Sequence, residues 1–391
     1  MSATQDTLSV GMVGYAFMGA AHSQAWRNAP RFFDLPLRPL MTAVAGRDAT
    51  RVARAAEVLG WAGTAGSYQE LVERDDIDLV DICTPGDTHA EIAIAALEAG
   101  KHVLCEKPLA NTVEEAVAMA EAAERAAASG VRAMVGFTYR RVPAIALARR
   151  LVAEGRIGTV RHVRAQYLQD WISDPEAPLS WRLQKERAGS GALGDIGAHI
   201  VDLAQFITGD RIGEVSGHLE TFVKERPLAA EHAGLSGTAS SGRGAVTVDD
   251  AAMFLARFAS GALGVFEATR FAQGRKNAIR LEVNGSRGSL AFDFEDMNLL
   301  HFHDADEDPA TAGFRRIVVT EPEHPYLAAW WPPGHLIGYE HGFTHQVVDL
   351  VGAIHAGEDP TPTFADGLQV QRVLGAVEQS SHKRTWQEIP A

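Results

Sequence analysis

Cysteine is nearly absent: a chain of 391 residues holds two, Cys83 and Cys105, and they form no C-x-x-C pair. That excludes a disulfide-stapled framework and a cysteine-rich zinc site. Both thiols read as small buried core residues. Positive charge is also in short supply. Lys and Arg number 36 against 50 Asp and Glu, a formal charge of -14. Such a chain has no general attraction for nucleic-acid phosphates or anionic lipid. Long apolar runs are missing too, so no membrane-spanning helix is expected. The opening MSATQDTLSV has no basic residue and no apolar stretch. No secretory signal is read there, and a cytoplasmic location is expected. Neither a nucleic acid nor a membrane is expected as a partner.

What is present is ordinary for a soluble globular protein. At roughly 150 residues per domain, the length predicts two domains. In the first third, apolar runs at 8–13, 40–45, 77–83, 102–105 and 132–137 read as strands. Amphipathic helices are predicted between them, over about 17–26, 50–59, 89–99 and 112–128. This alternation predicts βαβ units and a parallel sheet.

After Arg141 the pattern changes. A helix over 143–153 leads to a strand at 159–168 and a helix over 193–207. Residues 214–224, 250–258, 262–270, 278–284 and 288–294 then alternate like hairpin-linked strands. Two amphipathic helices follow, at 343–355 and 366–380. The fold class is therefore α/β: a Rossmann dinucleotide-binding domain over 1–137, then an α+β domain over 138–391. The second domain carries a large, mostly antiparallel sheet and is expected to bind substrate and to oligomerise. Within it, the Gly/Ser-rich 233–245 reads as a mobile surface loop. The aromatic, proline-rich 330–341 reads as a lid or a subunit contact.

The segment VGMVGYAFMGAAH carries the first chemical signal. Gly14, Ala16 and Gly19 occupy the positions of G-x-G-x-x-G, after a strand and at the start of a helix. The first glycine permits the tight turn, and the second position lets a pyrophosphate approach the backbone. The third lets the helix pack on the sheet, with the amides around Phe17 and Met18 facing the phosphates. At the end of the second strand, Gly46 and Arg47 stand where an acid would mark NAD. This favours NADP, with NAD as the alternative; otherwise Arg47 is simply solvated and Asp48 caps the next helix. Two later strand ends, Thr84-Pro85 with His89 and Glu106-Lys107-Pro108, point to the same carboxyl edge of the sheet. A lysine fixed there by proline is suited to proton handling or to stabilising an oxyanion.

A second constellation lies in GSGALGDIGAHIVDL. On a helix, Asp195, His199 and Asp202 share one face, while Ile196, Ile200, Leu203 and Ile207 form an apolar stripe. A carboxylate one turn from an imidazole can fix its tautomer and raise its basicity. No metal is assigned.

Taken together, these marks resemble the Gfo/Idh/MocA family of sugar and polyol dehydrogenases. The resemblance implies that Lys107, Asp195 and His199 are the catalytic group, and that Lys107-Pro108 is a cis peptide. It also implies a cofactor site of Gly14, Ala16, Phe17, Met18, Gly19, Gly46, Arg47, Thr84, Pro85, His89, Glu106, Lys107 and Arg182. Two departures stand out: Ala16 replaces a usual glycine, and Thr138 stands where F-N-x-R carries asparagine. Residues 166–182 are similar to levoglucosan dehydrogenase-type members, which oxidise a pyranose ring hydroxyl. That likeness implies a sugar site of Tyr139, Arg140, Gln169, Asp170, Trp171 and Trp181, with Lys107, Asp195 and His199. The implied activity is hydride transfer between a nicotinamide and a ring hydroxyl carbon of a sugar, anhydrosugar or cyclitol. The implied assembly is a homodimer or homotetramer. Two alternatives stay open: a non-catalytic NAD(P)- and sugar-binding regulator, and a retained-cofactor enzyme working through a 3-keto sugar.

Overall fold

A computed structural model describes residues 6–233 and 236–390. Its backbone forms two compact units: 1–138 with 338–369, and 139–337 with 370–391.

In the first unit, strands β1 (Thr7–Val13), β2 (Arg38–Ala45), β3 (Gly63–Ala65), β4 (Leu79–Ile82), β5 (His102–Cys105) and β6 (Ala133–Val135) make one sheet. Its order is β3-β2-β1-β4-β5-β6, every pairing parallel. This is the doubly wound order in which ligands bind beyond the strand carboxyl ends. The linking helices are α1 (Phe17–Phe32), α2 (Ala49–Leu59), α3 (Tyr68–Val72), α4 (His89–Glu98) and α5 (Val113–Ala127). Asp48 accepts the Arg51 amide and so starts α2, while a Thr112/Glu115 capping box starts α5. β4 is buried along its whole length, as a central strand covered on both faces must be.

The second unit begins with α6 (Pro143–Ala153) and β7 (Val160–Leu168), then α7 (Lys185–Ala188) and α8 (Ala198–Thr208). Strands β8 (Ile212–Glu220), β9 (Glu225–Ala233), β10 (Ser236–Ala245), β11 (Ala251–Phe258) and β12 (Leu263–Thr269) follow. Next come β13 (Ala278–Gly285), β14 (Gly288–Asp293), β15 (Leu299–Asp304) and β16 (Arg315–Val318), with β17 (Gln387–Glu388) at the chain end. All but β9 and β10 join a nine-stranded sheet, ordered β16-β15-β14-β13-β7-β12-β11-β8-β17. Only β7 and β12 pair in parallel. Alternation sets its faces: Ala252, Phe254, Ala256 and Phe258 point into the core, while Met253 and Leu255 are exposed.

Two expectations are corrected here. The stretch 233–245 is not a loop throughout: Ser236–Ala245 is a strand, paired antiparallel with β9. Its glycines suit close passage, since a Cβ on Gly244 would lie 2.8 Å from Leu179 Cδ2. The helix expected from 193 opens instead with a π-turn over Leu193–Gly197, and α8 proper starts at Ala198.

Chain order also differs from spatial order. α9 (Tyr339–Ala356) returns to the first unit, where Phe343, Val347 and Leu350 join the core of Val10, Met12, Trp26 and Leu79. α10 (Phe364–Lys383) completes the helices. No helix among the described residues is long and apolar enough to cross a membrane.

Candidate active site

In the first unit, the glycine turn has the shape that the spacing predicts. Gly14 adopts φ +97, and a Cβ there would lie 2.8 Å from the Cys83 carbonyl oxygen. A Cβ on Gly19 would lie 2.3 Å from the Gly14 oxygen, so neither position accepts a side chain. Ala16 stands at the N-cap of α1 without a side-chain cap, and the first turn holds no acid. The opening amides of α1, around Phe17 and Met18, are thus of the kind that bind a pyrophosphate. This cradle fits a dinucleotide. Gly46 is required for a different reason: a Cβ there would strike Tyr15, 2.2 Å from its Cε1. Arg47 beside it is exposed.

The two later strand ends are tied together. Both ring nitrogens of buried His89 face backbone carbonyls, Nε2 at 2.9 Å from Thr84 O and Nδ1 at 3.0 Å from Pro108 O. His89 therefore braces the Thr84-Pro85 and Lys107-Pro108 turns. Lys107-Pro108 is cis. Glu106 is buried and turned inward: its Oε2 accepts the Lys107 amide at 3.1 Å, and its Oε1 lies 2.9 Å from His22 Nε2. Cys83 and Cys105 are buried, and burial pushes both thiols far from thiolate formation. Thr138 donates to Gln346 Oε1 at 2.7 Å.

In the second unit, Asp195 and His199 open the α8 segment. Asp249 holds the start of that segment: its carboxylate accepts the Gly191 amide at 2.7 Å and the Leu193 amide at 2.8 Å. Burial nonetheless raises the Asp249 pKa, outweighing those two bonds. Asp195 Oδ2 lies 3.5 Å from Nη1 of Arg270, which is fully buried. Arg270 stacks over Trp171 at 5.5 Å, and Arg182 over Trp181 at 4.4 Å. Burial lowers the Arg182 pKa, with Arg270 adding to the fall and Asp195 opposing it. His199 is flanked by the rings of Tyr139 at 4.6 Å and Tyr167 at 5.8 Å.

A polar chain continues from these tyrosines. Their hydroxyls are 3.0 Å apart; Tyr167 donates to Asn277 Oδ1 at 2.6 Å, and Gln169 Nε2 donates to the same oxygen at 3.0 Å. Trp171 Nε1 in turn donates to Gln169 Oε1 at 3.0 Å.

Asp195, His199, Tyr139, Gln169, Trp171, Trp181 and Arg182 thus fall in one part of the second unit. Three of the expected residues have partners of their own. Asp202 forms a buried pair with Arg140, Nε to Oδ2 at 2.8 Å. Arg140 is correspondingly engaged with Asp202, which suits it to bracing the 138–141 turn against α8. Asp170 accepts from Lys276 Nζ at 2.7 Å and from the Gly274 amide at 3.0 Å, and the Lys276 bond holds its carboxyl below the usual range. Sequence reasoning missed Arg270, Asp249, Tyr167 and Asn277. No motif marks Arg270, whose role comes from its pairing with Asp195 in the fold.

Comparison with known proteins gives the chain its relatives. A family model described as an oxidoreductase family with an NAD-binding Rossmann fold matches residues 8–137. The GFO/IDH/MocA C-terminal domain matches 145–291. A levoglucosan dehydrogenase of Pseudarthrobacter phenanthrenivorans is 43% identical over 390 residues, 98% of this chain and 99% of that protein. The crystal structure of an oxidoreductase domain protein from Kribbella flavida is 75% identical, with TM-score 0.95, over 99% of this chain and 100% of that one. A levoglucosan dehydrogenase in complex with NADH and levoglucosan is 42% identical, with TM-score 0.93, over 99% and 100% of the two chains.

Proposed function

The chain belongs to the Gfo/Idh/MocA family of oxidoreductases, and from that premise we propose that it oxidises a ring hydroxyl of a pyranose anhydrosugar of the levoglucosan kind. The observation that carries this reading is the near full-length match to a levoglucosan dehydrogenase. It is an NAD(P)-dependent sugar or cyclitol oxidoreductase. A bound nicotinamide dinucleotide supplies the hydride acceptor. In this reading the Gly14–Gly19 turn holds the pyrophosphate. Lys107 hydrogen-bonds the reacting hydroxyl oxygen and offsets its developing negative charge. His199 takes the hydroxyl proton, and Asp195, held by Arg270, orients the imidazole. Trp171 and Trp181 offer flat rings to C–H faces, and Gln169 offers its amide to hydroxyls.

The NADH complex of the related levoglucosan dehydrogenase supports NAD as the working cofactor, while exposed Arg47 supports NADP. Self-association would use the outer sheet face, where Met253, Leu255, Leu263 and Val265 are exposed. The test is steady-state nicotinamide absorbance, with NAD and NADP each offered levoglucosan, monosaccharides and inositols. Turnover is expected with levoglucosan above the other sugars. Sugar binding without turnover under every condition would replace the enzyme with a regulator.

A further inference from the structure

Behind the Lys107 turn lies a buried ionic chain that the reaction as described does not use. His22 sits on α1, three residues beyond Gly19, and is 1% exposed. Its Nδ1 is 2.9 and 3.0 Å from the two oxygens of Asp81 on β4, and its Nε2 is 2.9 Å from Glu106 Oε1 at the end of β5. With a carboxylate on each ring nitrogen, both nitrogens are donors. Trp26 Nε1 donates to Asp81 Oδ2 at 2.7 Å, and the Phe343 ring covers His22 at 5.4 Å. His22, Asp81 and Cys83 together have metal-ligand spacing, but both imidazole nitrogens are already engaged by carboxylates.

Such a network is a weak device for stability. Replacing a buried ion pair by well-packed apolar groups is often neutral or stabilising. Its geometry has a more specific consequence. Glu106 has two oxygens: one meets His22, and the other receives the Lys107 backbone amide. Gly136 leaves room for this carboxylate, since a Cβ there would come 3.0 Å from Oε1. The Lys107 main chain is thereby tied through Glu106 and His22 to the helix that begins at the dinucleotide turn.

We infer that His22 is a positioning residue for Lys107: it fixes the Glu106 carboxylate that receives the lysine amide, and so aims the lysine. This inference rests on Lys107 being an acting group, as proposed above. A displacement of about 1 Å in a reacting group can cost on the order of 10²-fold in rate. The effect is therefore expected in turnover, with ligand binding largely kept.

The experiment compares His22→Ala, His22→Gln, Glu106→Gln and Lys107→Met in the full chain. It measures kcat and KM with levoglucosan, and NADH affinity by fluorescence. His22→Ala should lower kcat about tenfold or more, with KM and NADH affinity within about threefold of wild type. His22→Gln, whose amide can still donate to Glu106, should recover part of that loss. Glu106→Gln can accept only one of the two bonds and should behave like His22→Ala; it decides the matter if His22→Ala does not fold. Wild-type kcat in both His22→Ala and Glu106→Gln overturns the inference. So does a kcat loss matched by an equal loss of NADH affinity and not relieved in His22→Gln. Near wild-type turnover in Lys107→Met removes instead the reading on which the inference rests.

Discussion

His22 is buried between two carboxylates, those of Asp81 and Glu106. Burial is the largest single influence and works against its positive charge, but Asp81 and Cys83, by charge and hydrogen bonding together, outweigh burial and hold the imidazolium well above the ordinary histidine range. The unfolded chain returns it to about 6.5. A folded pKa above the unfolded one gives stability that is complete below about 6.5 and is lost as pH rises through the folded value. The Tm loss caused by His22→Gln should therefore be largest near pH 6 and shrink toward pH 9. A loss that stays constant over that span would show His22 to be uncharged. Arg47 makes a different prediction. Arg47→Ala should raise KM for NADP roughly tenfold more than for NAD, because only NADP carries a 2′-phosphate for the guanidinium. Equal effects on both cofactors would place Arg47 away from the ribose. Single residues were legible where a motif surrounds them, as with Gly14 and Gly19. Arg270 and Asp249 were not, because their roles come from pairing across the fold with Asp195 and Gly191.

At the scale of elements, strands with two distinct faces are easy to read. From Ala252 onward β11 alternates between buried and exposed positions, and its expected span was nearly its real one. β10 has no such pattern, since glycine and serine carry no apolar face to alternate; its pairing with β9 supplies the order that its composition lacks. The π-turn before α8 escaped for a related reason. The spacing of Asp195 and His199 fits a plain α-helix, whereas Asp249 grips the backbone at Gly191 and Leu193 and sets a wider first turn. π-turns of this kind recur at functional sites. The close approach of the Asp249 main chain makes Gly191 indispensable: a Cβ there would lie 1.7 Å from the Asp249 backbone carbonyl oxygen. Gly→Ala at a tolerant site stabilises by about 0.4–1 kcal/mol through the unfolded chain. Overpacking here should outweigh that gain, costing about 2 kcal/mol or more. Calorimetry of Gly191→Ala should show a Tm lower by several degrees, and an unchanged or higher Tm would show that the turn yields.

At the scale of the whole chain, α9 shows what chain order conceals. Nothing in its composition says that residues 338–369 complete the core of the first unit; only Phe343 and Val347 packed among Val10 and Trp26 show it. The parallel sheet was legible because each βαβ unit is local, and the return of α9 was not because it spans more than two hundred residues. The -14 charge suits a small neutral substrate as readily as any other, so charge cannot name the sugar. Chemistry at the transferred hydrogen can. Levoglucosan deuterated at its ring carbinol carbons should be incubated with the protein and oxidised cofactor, and the reduced cofactor examined by mass spectrometry. The account predicts one deuterium carried to the nicotinamide per sugar oxidised, lost in step with turnover in Lys107→Met. Sugar bound with no deuterium in the cofactor would contradict it.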